Sequence, residues 1–394
     1  MSIKVILGVT GSIAAYKVID LAKALHRNSC DVRIVLSKTA SSFISVLTLE
    51  SLFPKKVYEY DDTIENGEML HISLAKTCDV VLIAPASANA ISKLANGIGD
   101  CLLSTLCLAT RQSIVCVPAM NEGMWENVFV QRNVEILRKN GVHILGPVNG
   151  EQACGDVGIG HIADTSDIVD YILQLKTPKY LLGKKIVVTA GSTKEKIDPI
   201  RFLSNYSSGK MGYAIAGVAR NMGANVTLIS GSTALSVPLG INFIPVESAF
   251  DMLNAVDREV DKADVYVGVA AIADYRPESY SHEKMKKRKE VIELRLKENV
   301  DIIKYVKEKY PKTFCVGFAA ETNDLEKHGL EKIKNKCLDM VAVNDVSNNQ
   351  VFNSDYNEVL LLAKNGKSLH IPKNTKAIIA TELLRYVSES LFEK

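Results

Sequence analysis

IVVTAGSTKEKIDPIRFLSNYSSGKMGYAIAGVARNMGANVTLIS, residues 186–230, is the stretch that decides the fold. Its apolar, β-branched start at Ile186–Thr189 predicts a strand, and turn-forming residues follow. An apolar periodicity near that of a helix runs from Met211 to Met222, and a second apolar run at Val226–Ile229 predicts another strand. Strand, loop, helix and strand in this order form a βαβ unit, from which parallel sheets are built.

A shorter form of the same pattern begins the chain. IKVILGV at 3–9 predicts a buried strand, Thr10-Gly11-Ser12 a turn, and Ile13 to about His26 a helix. The strand Val32–Leu36 completes a first βαβ unit. Because such a unit opens again in mid-chain, the sequence predicts a second domain.

The length of 394 residues suits two or three domains, each with its own core. We therefore predict an α/β protein with two doubly wound, Rossmann-like domains. The predicted boundaries are 1–177 for an N-terminal domain, 178–185 for a linker and 186–394 for a C-terminal domain.

Composition narrows the class of protein. The formal net charge is +2, from 47 basic and 45 acidic residues, which argues against a general nucleic-acid or membrane surface. The eight cysteines contain no CxxC pair and predict reduced thiols in a cytoplasmic protein. Neither a signal peptide nor an uninterrupted apolar stretch of ~20 residues is readable, so we expect no membrane span.

The first turn and the strand after it distinguish two kinds of nucleotide. A helix beginning at this turn offers unpaired N–H groups to a phosphate, although a purely structural turn explains the glycine equally well. Dinucleotide sites have a full GxGxxG here and an acidic residue at the end of the second strand. This chain has GVTGSIA at 8–14 and Ser37-Lys38-Thr39 after the strand. Both features disfavour NAD and favour a mononucleotide such as FMN.

Small polar residues follow the next two predicted strands. Asp79–Ala84 leads into PASAN at 85–89, and Ser113–Val117 leads into PAMNEGMW at 118–125. Open α/β sheets bind ligands at the carboxyl ends of their strands, so both segments are candidate binding loops. Helix capping and core packing are the alternatives.

Two further residues are candidates for chemistry. His71 precedes an apolar-periodic segment, and Cys154 lies in the glycine-rich GEQACGDVGIGH at 150–161. A glycine-rich loop of this kind can close over a substrate and present a thiol as a proton donor. A structural histidine and a buried, inert cysteine are the alternatives.

Taken together, these segments resemble the flavin-dependent cysteine decarboxylases, and specifically the phosphopantothenoylcysteine decarboxylases. The resemblance rests on GVTGSIAAYK (8–17), His71, PASAN, PAMNEGMW and ACGD (153–156), in this order. It implies that His71 is the catalytic histidine, that Asn121 holds the substrate carboxylate and that Cys154 protonates the intermediate. In that family the flavin oxidises the thiol end of the substrate, carbon dioxide leaves, and the reduced flavin returns the hydride.

The resemblance also implies an FMN site. It would be formed by Gly11, Ser12, Ser37, Thr39, Ser87, Ala88, Asn89 and Met120. Two departures from the family pattern predict altered flavin contacts. Ala90 replaces a usual threonine, and GIGDCLLS at 97–104 differs from the commoner GxADDLL.

The long loop of the second βαβ unit carries a cluster of hydrogen-bond donors. DPIRFLSNYSSGKMG at 198–212 places Arg201, Asn205, two serines and Lys210 directly before a helix. Such donors at the positive end of a helix predict an anion site, and a surface loop with a serine cap is the alternative.

The remainder of the second domain adds a carboxylate and several cations. Val265–Ala270 predicts a strand that leads to Asp274, and a basic run from Lys284 to Lys289 precedes a predicted strand at 291–297. FCVGFAAE at 314–321 predicts a further strand and turn. Lys332 and Lys336 are four residues apart and therefore share one helix face. Solvated charge explains each basic feature equally well.

These segments resemble the phosphopantothenate–cysteine ligase domain of bacterial bifunctional coenzyme A proteins. The matching motifs are DPIRFLSNYSSGKMG, AAIADYRP (270–277), the Lys284-Met285-Lys286-Lys287 run, GFAAET (317–322) and VNDVS (343–347). Bacterial members use CTP to form an acyl-cytidylate, which the cysteine amine then attacks. Lys284 would support activation, and Arg201 with Asn205 would hold the acyl intermediate.

The resemblance implies a nucleotide site as well, with Mg²⁺ accompanying CTP and no metal site of the protein's own. Its residues would be Gly268, Val269, Ala270, Asp274, Lys284, Val300, Asp301, Ile302, Ile303, Phe318, Lys332 and Lys336. Val300 stands where the family has proline, which frees the backbone of this loop.

The two resemblances imply consecutive steps of coenzyme A biosynthesis. Cysteine would be ligated to 4′-phosphopantothenate, and the product would be decarboxylated to 4′-phosphopantetheine. The partners would be small molecules, with no nucleic acid and no membrane, and the chain would form a homo-oligomer with trimeric flavin domains and dimeric ligase domains. An NAD(P)-linked oxidoreductase and a non-catalytic flavin-binding regulatory subunit are the alternatives, and the sequence alone does not decide between CTP and ATP.

Overall fold

The structure is a computed structural model that describes residues 2–53, 55–151, 155, 157–285, 293–321, 324–345 and 354–392. The chain divides into two compact units, Met1–Lys176 and Thr177–Lys394. Leu181, within the predicted linker, is fully buried in the core of the second unit.

The first unit combines a parallel sheet with helices. Its strands are β1 (Ile3–Val9), β2 (Cys30–Leu36), β3 (Ile64–Glu65), β4 (Glu68–Met69), β5 (Val80–Ala86), β6 (Ser113–Pro118), β7 (His143–Ile144), β8 (Val148–Glu151) and β9 (Val157–His161). Its α-helices are α1 (Val18–Arg27), α2 (Val46–Leu52), α3 (Leu70–Thr77), α4 (Ala88–Ala95), α5 (Leu102–Ala109), α6 (Glu122–Trp125), α7 (Val128–Lys139) and α8 (Thr165–Lys176).

The main sheet of this unit has the order β2-β1-β5-β6-β7, and all neighbouring pairs are parallel. Both faces are covered: Val5 and Leu7 belong to the apolar core on one face, and Ile6 to the core on the other. This double burial explains why the strands read as continuous apolar runs. Strand order reverses between β1 and β5, and the crevice at their carboxyl ends is the expected ligand site of such a sheet.

The second unit contains a larger sheet. Its strands are β10 (Lys185–Ala190), β11 (Glu195–Lys196), β12 (Phe202–Leu203), β13 (Asn225–Ser230), β14 (Asn242–Pro245), β15 (Val265–Gly268), β16 (Tyr275–Pro277), β17 (Leu296–Glu298), β18 (Phe314–Glu321), β19 (Met340–Asp345), β20 (Tyr356–Ala363) and β21 (Ser368–Thr375). Its α-helices are α9 (Lys210–Asn221), α10 (Ala249–Val260), α11 (Ile302–Lys309), α12 (Leu325–Lys336) and α13 (Lys376–Phe392).

The main sheet has the order β14-β13-β10-β15-β18-β19-β20-β21. Its first six strands are parallel, and β20 and β21 extend it in antiparallel fashion. Strand order reverses between β10 and β15, which creates a second crevice of the same kind. The predicted class, two doubly wound α/β domains, is confirmed.

Three local predictions differ from the structure. The helix predicted from Ile13 begins with a 3₁₀ turn, Ile13–Lys17, before α1. The strand predicted at 291–297 is represented by β17, Leu296–Glu298, while residues 291 and 292 lie outside the described residues. The loop predicted at 150–161 contains the antiparallel hairpin of β8 and β9.

The sequence does not predict this hairpin because the buried positions of β9 are glycines and its exposed positions are apolar. In β9 the buried positions are Gly158 and Gly160, whereas Val157 and Ile159 are exposed. A Cβ on Gly158 would collide with the carboxyl group of Glu122, so glycine leaves room for this side chain against the hairpin. Among the described residues, no helix has the length and apolar character needed to cross a membrane.

Candidate active sites

Thr10 joins the ends of the two strands that flank the first crevice. Its Oγ1 donates a hydrogen bond to the carbonyl of Pro85 at 2.7 Å and accepts one from the N–H of Ser87 at 2.8 Å. The Ser87 hydroxyl in turn accepts from the N–H of Ala90 and caps α4. PASAN is therefore held beside the first turn, with the start of α4 directed at the crevice.

Two cavities open at this crevice, and Ser87 lines both of them. The Ser37 cavity, of about 320 Å³, includes Ser37, Thr39, Ser87 and Asn89. The Asn121 cavity, of about 540 Å³, includes Gly11, Ser12, Ala88, Met120 and Asn121. The structure thus brings the eight residues predicted to bind FMN, together with Asn121, to one crevice.

The first crevice fits a phosphorylated ring. A Cβ at Gly11 would lie 2.4 Å from Thr39 Oγ1, so glycine keeps the turn open beside this hydroxyl. Ser37 Oγ lies 3.3 Å from Thr39 Oγ1, and the hydroxyl of Ser12 donates to the carbonyl of Ala119 at 3.1 Å. Hydroxyls around a cradle of small residues are suited to a phosphate and to the polar edge of a ring.

Asn121 is positioned by a helix start and by the glycine hairpin. Its Oδ1 accepts from the N–H of Gly123 at 2.9 Å, which caps α6. Glu122 Oε1 accepts from the N–H of Ile159, and the N–H of Met120 donates to the carbonyl of Gly160. The hairpin is therefore fastened to the PAMNEGMW turn. The connection between β8 and β9 contains Cys154, which lies outside the described residues.

His71 is placed differently. It lies on α3, is partly buried, and is not among the described residues that line the Ser37 and Asn121 cavities. Its neighbours Met69 and Ile72 are 49% and 38% exposed. Within one copy of the chain, the structure does not bring His71 to the first crevice.

Thr189 organises the second crevice as Thr10 does the first. Its Oγ1 accepts from the N–H groups of Val269 and Ala270 at 3.3 and 3.4 Å, and the N–H of Ala271 donates to the carbonyl of Gly191 at 2.8 Å. The loop after β15 is thereby held against the loop after β10.

The Asp274 cavity, of about 170 Å³, lies at this switch point. Of the residues predicted to bind the nucleotide, ten line it: Gly268, Ala270, Asp274, Val300, Asp301, Ile302, Ile303, Phe318, Lys332 and Lys336. Asn299, which sequence reasoning missed, also lines it and donates from Nδ2 to the carbonyl of Ala273 at 2.8 Å. Its place directly before Val300, the position where the family has proline, was the available signal.

Two lysines, Lys332 and Lys336, and two carboxylates, Asp274 and Asp301, line the Asp274 cavity. Lys336 Nζ lies 2.7 Å from Asp301 Oδ2, and Asp301 Oδ1 accepts from the N–H of Lys304 to cap α11. Lys332 Nζ donates to the carbonyl of Phe318 at 3.3 Å. Burial, and secondly the neighbouring Lys336, lower the pKa of Lys332. An anion bound beside Lys332 would favour the charged form of this lysine and so oppose both effects on its pKa.

A second cavity, of about 210 Å³, shares Gly268, Ala270 and Phe318 with the first. This Lys376 cavity also includes Val269, predicted for the nucleotide, and the start of α9 with Ser207, Ser208 and Lys210. Sequence reasoning missed three of its residues, Asn344, Asn357 and Lys376. Lys376 is 8% exposed and donates from Nζ to the carbonyl of Ser354, and its burial lowers its pKa.

The remaining predicted ligase residues lie outside the described linings of both cavities. Asn205 donates from Nδ2 to the carbonyl of Ile272 at 2.9 Å, and Ile272 lines the Asp274 cavity. Arg201 donates from Nη2 to the carbonyl of Met285 at 3.2 Å. Lys284 is exposed beside that contact. No group of three or more His, Cys, Asp or Glu side chains arranged for a metal ion occurs in the described part of the chain.

Comparisons with known proteins identify the same family over nearly the whole chain. Residues 1–177 match the family model described as Flavoprotein, and residues 181–391 match the DNA/pantothenate metabolism flavoprotein C-terminal domain. The chain is 42% identical to the coenzyme A biosynthesis bifunctional protein CoaBC of Vibrio vulnificus (strain CMCP6), over 98% of this chain and 97% of that protein. It is 39% identical to the protein of the same name from Escherichia coli (strain K12), over 99% of this chain and 98% of that protein. It is also 39% identical to the one from Bacillus subtilis (strain 168), over 98% of this chain and 96% of that protein.

Proposed function

Because the chain belongs to the family of bifunctional coenzyme A biosynthesis proteins, we propose a specific task for each of its crevices. The protein is an enzyme with a flavoprotein decarboxylase domain and a ligase domain, and it acts in two steps of coenzyme A biosynthesis. We assign FMN to the first crevice, and CTP with 4′-phosphopantothenate to the second.

The observation that carries the ligase assignment is the make-up of the Asp274 cavity. Four separate segments contribute the predicted residues to one small space: the end of β15 and the loop after it, the start of α11 with the two residues before it, β18, and α12. We place the cytidine nucleotide there, with Lys332 and Lys336 facing its phosphates. Mg²⁺ would enter bound to the triphosphate, since that ion is commonly held by phosphates and few protein groups.

We place 4′-phosphopantothenate in the Lys376 cavity. The start of α9 and the cations of Lys210 and Lys376 would face its phosphate, because N–H groups and lysines at a helix start favour a dianion. The shared wall of Gly268, Ala270 and Phe318 then brings its carboxylate to the nucleotide.

The chemistry follows from this arrangement. The carboxylate oxygen attacks the α-phosphorus, pyrophosphate leaves, and the cations stabilise the charge that builds on it. The cysteine amine then attacks the acyl carbon, CMP leaves, and an amide forms. Activation is required because a carboxylate oxygen is otherwise a poor leaving group. Lys284 would assist the first step, and Arg201 with Asn205 would hold the acyl nucleotide.

For the first crevice we propose that FMN spans the Ser37 and Asn121 cavities. When bound, FMN supplies the two-electron oxidation that a cysteine carboxylate needs before it can lose carbon dioxide. Asn121 would orient the substrate carboxylate, and Cys154 would return a proton to carbon. The hairpin, which is bonded through the N–H of Ile159 to Glu122 next to Asn121, would help to keep water from the reacting carbon.

The proposed homo-oligomer explains how His71 could act although it lies outside the first crevice of its own chain. A neighbouring copy docked through the flavin domain would bring its His71 to the first crevice, and the exposed Met69 and Ile72 supply apolar surface for such docking. We propose trimeric flavin domains and dimeric ligase domains. We also propose a cytoplasmic location, since the seven described cysteines are unpaired thiols, as in a reducing compartment.

The assignment is tested by incubating the enzyme with 4′-phosphopantothenate, cysteine and Mg²⁺, and with CTP, ATP, GTP or UTP in turn. We expect CMP and pyrophosphate with CTP, and little monophosphate with the others. Preferential AMP formation would overturn the CTP assignment. Bound FMN should give absorption bands near about 370 and 450 nm, and a colourless enzyme that binds no added FMN would overturn the flavin assignment.

A further inference from the structure

Asp198 is a buried carboxylate whose acceptor bonds are satisfied by main-chain groups. It is 1% exposed and lies in the loop between β11 and β12. Its Oδ1 accepts from the N–H groups of Ile200 and Arg201, both at 2.8 Å. Its Oδ2 accepts from the N–H of Met285 at 3.2 Å, which lies 87 residues further along the chain.

The two oxygens serve different purposes. Bonds from Oδ1 to the residues two and three positions ahead form an ordinary turn, which aspartate favours throughout proteins. Such a turn does not account for Oδ2. That oxygen is directed at the segment that carries Lys284, and a buried carboxylate without a partner there would be costly.

Arg201 also binds Met285, through the carbonyl of that residue. Its Nη2 donates to the carbonyl of Met285 at 3.2 Å, and its Nε lies 3.9 Å from Asp198 Oδ2. Both main-chain polar groups of Met285 are therefore held, the N–H by Asp198 and the carbonyl by Arg201. The N–H of Ser281 adds a third link, to the carbonyl of Ile197 at 3.0 Å.

We propose that Asp198 is a positioning residue of the ligase, which fixes the backbone from which Lys284 projects and so sets its place relative to Arg201. The inference rests on the proposed function, in which Arg201 and Lys284 act on the acyl nucleotide. Asp198 does not touch the substrate. It acts by keeping Lys284 in place before substrates arrive, and misplacement of a reacting group by about 1 Å costs on the order of 100-fold in rate.

Asp198→Asn tests this link selectively. The single remaining oxygen is expected to stay with the two shorter bonds of the turn, which directs the amide nitrogen at the N–H of Met285. Two donors then face each other, so the turn is kept and Met285 is released. We expect kcat for CMP formation to fall by about 10- to 100-fold and the KM for CTP to change by less than about 3-fold. Decarboxylation of supplied 4′-phosphopantothenoylcysteine should not change.

A double variant separates positioning from general damage. If Asp198 acts through Lys284, Asp198→Asn combined with Lys284→Gln should be no slower than Lys284→Gln alone. Asp264→Asn is the control. Asp264 likewise accepts a main-chain N–H, from Lys185 at 2.8 Å, and pairs with Lys184, but at the amino ends of β10 and β15, away from the crevice, so kcat should stay at the wild-type value.

Three results would overturn the proposal: wild-type kcat in Asp198→Asn, multiplied losses in the double variant, or an equal loss in Asp264→Asn. If Asp198→Asn does not fold, Asp198→Ser replaces it, because a hydroxyl keeps the turn but cannot reach Met285. Failure of the proposed function is distinguishable, since wild-type enzyme would then form no CMP from 4′-phosphopantothenate and cysteine.

Discussion

Replacing Lys332 by methionine should weaken nucleotide binding without weakening the fold. Lys332 lies partly buried on α12, and its Nζ reaches only the carbonyl of Phe318 among the hydrogen bonds described for it. Burial lowers its pKa, so the protonated side chain costs stability at neutral pH when no anion is bound. Methionine keeps the apolar stem and removes the charge.

The size of each effect follows from the contact that is lost. A hydrogen bond between a charged donor and a phosphate contributes about 1.5–3 kcal/mol, so the KM for CTP should rise by about 10- to 150-fold. The free energy of unfolding should stay the same or rise by about 1 kcal/mol, since an incompletely paired buried charge is removed.

Steady-state CMP formation, with CTP varied and 4′-phosphopantothenate saturating, measures the first effect, and urea unfolding measures the second. Lys334→Met is the matched control, because Lys334 is an exposed lysine on the same helix and should leave the KM for CTP unchanged. A wild-type KM in Lys332→Met, or a loss of more than about 1 kcal/mol of stability, would refute the reasoning.

Three further outcomes are expected. His71→Asn should leave FMN absorption and CMP formation intact while carbon dioxide release stops; continued release would remove His71 from the reaction. Gly191→Ala should lower the free energy of unfolding in urea by about 1–2 kcal/mol, because φ is +71° and a Cβ would lie 3.0 Å from the carbonyl of Gly231. The Lys309 ammonium, helped by two tyrosine hydroxyls, lowers the pKa of Asp257 to about 2. The lowered pKa stabilises the folded state fully above the ordinary pKa of 3.8, and this stabilisation is lost as pH falls through 2. In Asp257→Asn the free energy of unfolding should therefore depend less on pH in that range, as measured by acid unfolding followed by circular dichroism.

The parallel sheets could be predicted because their strands are buried on both faces. Asp79–Ala84 was predicted as a strand, and β5 runs from Val80 to Ala86 with every residue buried. The same topology explains why residues that follow different strands meet: the carboxyl ends of parallel strands share one edge. Helical spacing likewise placed Lys332 and Lys336 in one cavity, as the four-residue interval predicts.

Residues held by tertiary contacts could not be predicted in this way. Asn357 and Lys376 reach their cavity through the antiparallel strand β20 and the start of α13, and no local motif marks them. The hairpin of β8 and β9 was missed because glycine occupies its buried positions. The bond from Asp198 to Met285 spans 87 residues, a separation that sequence periodicity does not encode.

Cysteine labelled with ¹⁴C in its carboxyl group tests the central claim most directly, because its label leaves as carbon dioxide only if both crevices work. In one mixture with 4′-phosphopantothenate, CTP and Mg²⁺, we expect one labelled carbon dioxide for each CMP formed. Omitting either 4′-phosphopantothenate or CTP should abolish release. Labelled carbon dioxide without CTP, or sustained CMP formation with no labelled carbon dioxide, would contradict the assignment of a ligase and a decarboxylase to one chain.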